Sequence, residues 1–141
     1  MQTASPILTP VIVLVAWSLV MWLWMYITRL PAMQKMQMKP DPQAPRGEQM
    51  NQLPASVRWK ADNYNHLMEQ PTIFYALALA LAMLGQGEGL NLVLAWSYVG
   101  LRVVHSLWQA LFNVIEVRFV LFVLSSLVLI SLTLSALKQV L

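Results

Sequence analysis

RWKADNYNHLMEQPTIFYALALALAML, residues 58–84, is polar in its first half and almost wholly apolar in its second. Arg58, Asp62, Asn65, Glu69 and Thr72 recur at spacings of 4, 3, 4 and 3, so on a helix they share one stripe. A helix that carries such a stripe into an apolar run builds a polar site at a membrane boundary. The strictly apolar part, residues 71–84, has 14 residues, whereas a spanning helix needs roughly 20. The helix is therefore expected to start near Arg58 and to draw its polar stripe partly into the membrane.

The rest of the chain supports a membrane setting. Of 141 residues, 58% are hydrophobic and 11% charged, with a mean hydropathy of +0.59; soluble domains carry about 25% charged residues. Residues 1–28, 70–87 and 119–137 contain no Asp, Glu, Lys or Arg. The expected fold is an all-α integral membrane four-helix bundle forming one domain over residues 1–141. Its spans are expected at about 7–28, 58–84, 90–112 and 118–138, with no separate soluble domain. Trp17, Trp22, Trp24 and Tyr26 thicken towards the end of the first span, as an interfacial aromatic belt does. The first apolar run lacks a basic leader and a small-residue cleavage site, so it reads as a retained helix.

Residues 30–57 hold Pro31, Pro40, Pro42, Pro45 and Pro54, which should prevent a continuous helix. They read as a solvated loop, or alternatively as a flap over a site. Basic residues set the orientation. Arg29, Lys35, Lys39, Arg46, Arg58, Lys60 and Arg118 fall on one side and Lys138 on the other. This loop is thus expected in the cytoplasm and both termini outside it.

In the third span, Tyr98, Arg102, His105, Gln109 and Asn113 make a second helical stripe at spacings of 4, 3, 4 and 4. A charge at the centre of a membrane helix costs about 2.5–3.5 kcal/mol and persists when paired or lining a cavity. The two stripes are expected to face each other, with Glu69 near Arg102. Such a pair can be a structural salt bridge, but two stripes of at least four polar groups exceed what orientation requires. Arg118, at the mouth of the fourth span, reads either as an interfacial anchor or as a cation for an anionic ligand or thiolate. The chain has no Cys, so disulfides and thiolate metal sites are excluded, no metal site is assigned, and any thiol must come with a substrate. The basic residues cluster in one loop, which does not point to nucleic acid.

These residues make the chain similar to the MAPEG family, the membrane-associated proteins of eicosanoid and glutathione metabolism, in a bacterial-type form. The likeness covers nearly the whole chain. It rests on the spans, on the basic first loop, on Arg58, Asn65, Glu69 and Pro71, and on Arg102, His105 and Arg118. Asn63 or His66 are alternatives to Asn65 in the family's Asn position. Gln109 stands where the prostaglandin E synthase branch has Tyr, with Tyr98 and Tyr64 as possible substitutes. The resemblance implies a homotrimer in a bacterial inner membrane, binding glutathione as co-substrate between subunits, with membrane lipid and a lipophilic small molecule as further partners. It implies a glutathione-dependent transferase or peroxidase in which Arg118 is catalytic and Arg58, Asn65, Glu69, Arg102, His105 and Gln109 bind glutathione. Some members bind without catalysis, so a non-catalytic lipid-binding or scaffold protein of the same fold is the alternative.

Overall fold

The computed structural model describes residues 4–141. Helices α1 (Leu8–Lys35), α2 (Ala55–Leu67), α3 (Pro71–Met83), α4 (Gly89–Leu111) and α5 (Ile115–Val140) account for its regular structure, with a short 3-10 turn at Met50–Gln52. Among the described residues there is no strand. Helices α1, α4 and α5 are long and apolar enough to cross a membrane. At 1.5 Å per residue, the 23 residues of α4 reach about 34 Å, and the longer α1 and α5 reach further.

The second span is broken, which corrects the expectation of one continuous helix over residues 58–84. Pro71 has no N–H and sits in the first turn of α3, so the ladder cannot run through it. Around the break the chain uses three-residue turns, with Met68 N bonded to Asn65 O at 2.9 Å and Thr72 N to Glu69 O at 3.2 Å. Broken helices survive at membrane depth only where neighbours take up the freed backbone groups. Here the His66 carbonyl, which accepts from Glu69 N–H at a long 3.4 Å, also accepts from Arg102 Nη2 of α4 at 3.2 Å. Gln70, inside the break, donates to Ser126 Oγ at 2.8 Å and accepts from Tyr98 OH at 3.2 Å, which ties the gap to α5 and α4.

Helix α1 also outruns its expected end. It continues to Lys35 through Pro31, which is exposed. One lost hydrogen bond at a solvated helix end costs little, because water takes the free carbonyl. The loop therefore begins at Met36; it is largely exposed, and Leu53 is buried beneath it.

The bundle has two unlike halves. Ile7, Leu14, Phe74, Ala78, Leu81, Ala95, Leu129 and Leu132 form an apolar core at the end where α1 starts and α5 finishes. There the α3–α4 turn closes tightly on the start of α1. A Cβ on Gly87 would collide with Ser5 Oγ and lie 2.8 Å from Ile7 Cγ2. The other half is lined by polar side chains on α2 and α4, while the outward faces of the long helices are apolar. Ser18, Ser126, Ser131 and Thr133 return their hydroxyls to carbonyls four residues back, so they add no unmet polar group. At the polar end Lys60 fastens three helices. Its Nζ donates to Ser56 O at 2.8 Å and Ala110 O at 3.3 Å, and lies 5.1 Å above the Trp24 ring.

Candidate functional site

Helix α4 supplies the polar wall. Tyr98, Arg102, His105 and Gln109 are all buried on one face, as their spacing predicts, and Ser106 joins them. Asn113 lies past the helix end at φ +54°, a left-handed conformation that Asn tolerates better than most residues. Its Oδ1 accepts from Arg118 Nη1 at 2.7 Å. The turn that ends α4 thus holds the first cation of α5.

The first stripe behaves differently. Asp62, Asn65, Glu69 and Thr72 face outward, and Arg58 is half-buried. The buried side of α2 consists of Ala61, Asn63 and Leu67, with His66 half-buried beside them. The expected pairing of Glu69 with Arg102 is therefore not formed within the chain. Helix spacing shows which residues share a face; the apolar Ala61 and Leu67 decide which face turns inward.

The partner of Arg102 is His66. Arg102 is fully buried, and its Nη2 lies 2.8 Å from His66 Nδ1 as well as bonding the His66 carbonyl. Its Nε and Nη1 have no partner among the described residues. The His66 ring stacks on His105 with centroids 4.7 Å apart and planes at 16°, and it meets the edge of Phe122 at 5.6 Å. His66, His105 and Arg118 line a pocket of about 290 Å³ whose remaining wall is Ile115, Phe119 and Phe122. Three nitrogenous side chains, one each from α2, α4 and α5, thus meet an apolar wall on α5.

Of the residues expected at the site, Arg118 and His105 line this pocket and Arg102 stands behind it. Gln109 is buried with Oε1 unpartnered among the described residues, and Asn65, Glu69 and Arg58 lie away from the pocket lining. Neither proposed Tyr substitute lines it. Tyr98 is buried, stacked on Phe74 at 4.6 Å and bonded to Gln70, while Tyr64 is half-buried. Asn63 is buried with both side-chain polar atoms unpartnered among the described residues. His66 is thus the pocket residue that the stripe reading passed over, although it stood among the alternatives for the family's Asn. The loop does not line the pocket. A larger cavity of about 890 Å³ at the opposite end is bounded by Pro6, Leu8, Leu79, Ala82 and Met83, with Glu88 the one charged group among its described lining residues.

Fold and site together define an integral membrane helical bundle with a polar, cationic pocket at one end. The chain belongs to the MAPEG family, whose model matches residues 7–138. No curated protein and no solved structure matches it.

Proposed function

We propose that this membrane protein binds glutathione with its sulfur in the pocket of His66, His105 and Arg118, and transfers the thiol to lipophilic electrophiles or reduces lipophilic peroxides. The observation that carries this reading is Arg118, fixed by Asn113 at a pocket whose other side is Ile115, Phe119 and Phe122. A free thiol has a pKa of about 8.5, and lowering it by two units takes about 2.7 kcal/mol of preferential stabilisation of the anion. An oriented guanidinium beside apolar walls is well suited to supply that. The thiolate then attacks an electrophilic carbon, forming a C–S bond as the leaving group departs with its electron pair. In the peroxidase variant, two glutathione molecules reduce one peroxide to an alcohol and water and leave as the disulfide.

Pockets for drug-sized ligands span roughly 300–1,000 Å³, so 290 Å³ takes the thiol end and not a whole tripeptide with a second substrate. In this reading the peptide's charged ends lie along the outward stripe of Arg58, Asn65 and Glu69, and a second copy of the chain in a homotrimer closes over them. The pocket end is assigned to the cytoplasm from the seven basic residues on its side, in an inner bacterial membrane.

The test is a glutathione titration of the detergent-purified protein, reading thiolate ultraviolet absorbance. Binding with a thiolate signal that disappears in Arg118→Ala supports the reading. Turnover of a general electrophile retained in Arg118→Ala removes Arg118 from its role. The second reading, a non-catalytic lipid-binding or scaffold protein, is favoured by Gln109, which offers no phenol to the pocket. Absence of binding at millimolar glutathione selects it.

A further inference from the structure

The contact between Arg102 and His66 fixes more than a position. A guanidinium has only donors. At 2.8 Å from Arg102 Nη2, His66 Nδ1 must therefore be the acceptor and carry no proton. A neutral imidazole with a bare Nδ1 carries its proton on Nε2. Among the described residues no protein group bonds that Nε2, and the ring lines the pocket beside Arg118.

The ring has little freedom to turn. His105 covers one face, Phe122 meets it edge-on, and the backbone carbonyl of the same residue is held by the same guanidinium. Flipping the ring would bring Cδ2–H, and the other tautomer would bring Nδ1–H, against the Arg102 donor. The fully buried Arg102, which meets a neutral ring and a carbonyl in place of a carboxylate, thus acts as a lock on a tautomer.

We propose that His66 is a hydrogen-bond donor to the sulfur anion through Nε2–H, set in that form by Arg102, and that it fills the chemical place a phenol at position 109 would have. The assignment rests on the thiol reading above. It gives the pocket two donors of different kinds, a guanidinium at Arg118 and an imidazole N–H at His66. It also excludes His66 as the base. While Arg102 holds Nδ1, the ring has no free lone pair to receive the thiol proton, so that proton leaves to water at the pocket mouth. His105 and Arg102 on α4 and Arg118 on α5 are the other titratable groups around the ring.

The chain has two His residues, so ¹⁵N-histidine labelling gives two ring systems, assigned with His66→Gln. The expected result is His66 in the Nε2–H form in the detergent-solubilised full chain. A dominant Nδ1–H form overturns the lock. In Arg102→Met the preference should relax to a mixture. The second measurement is the pH midpoint of the bound glutathione thiolate. His66→Phe keeps an aromatic ring against His105 and loses both nitrogens; its midpoint should rise by about one unit, a tenfold loss of thiolate below the midpoint. His66→Gln, which can accept from Arg102 and still donate, should stay near the wild-type value. An unchanged midpoint in His66→Phe overturns the donor role while the thiol site stands. No thiolate in the wild type removes the site and the sulfur role together, and the tautomer result then judges the lock alone.

Discussion

The turn after α4 offers a quantitative test, because Asn113 has two separable jobs. Its backbone sits at φ +54°, and its side chain accepts from Arg118 at 2.7 Å. Asn113→Gly keeps a residue at ease with positive φ and deletes only the hydrogen bond. Bonds to charged groups contribute about 1.5–3 kcal/mol when buried. Arg118 is half-buried at the mouth, so the expected loss is nearer 1 kcal/mol. Asn113→Ala loses the same bond and adds the steric cost of a left-handed Cβ, about 1–2 kcal/mol. Alanine should therefore be less stable than glycine by about 1–2 kcal/mol. The assay is denaturant unfolding in mild detergent, followed by tryptophan fluorescence; Trp108, packed on Phe112 at 4.9 Å beside this turn, is a local reporter. In an Arg118→Met background the glycine effect should vanish, since the acceptor no longer has its donor. Equal stability of the Ala and Gly variants refutes the backbone argument. A glycine loss that persists without Arg118 refutes the side-chain one.

Gly87→Val should lower stability by about 1–3 kcal/mol, because its Cβ has no room against Ser5 and Ile7; an unchanged unfolding midpoint would show that the start of α1 gives way freely. Arg102→Met should lower stability by about 1–3 kcal/mol, since the His66 carbonyl and Nδ1 both lose its donated bond, while thiolate formation by bound glutathione declines. A loss above about 3 kcal/mol in the same unfolding assay would instead make Arg102 the main tie between α2 and α4.

The membrane class, the long apolar helices and the buried stripe of α4 were legible in the chain, because desolvation acts on composition and period alone. The apolar runs of α1 and α5 are long enough to cross lipid, and Arg102, His105 and Gln109 at helical spacing must turn away from it together. The family likeness, too, rests on residues read in order. What the sequence could not decide was the direction of the first stripe. Arg58, Asp62, Asn65 and Glu69 share a face whether it points in or out, and packing of Ala61 and Leu67 against the bundle turned most of it out. At the turn before Pro71 the His66 carbonyl holds a long 3.4 Å bond from Glu69 N–H and takes a second donor from Arg102. That pairing depends on two helices meeting 36 positions apart in the chain, a distance at which local spacing carries no information. Periodicity determined which residues keep company; only tertiary packing, through burial and the geometry of donors and acceptors, determined what they face.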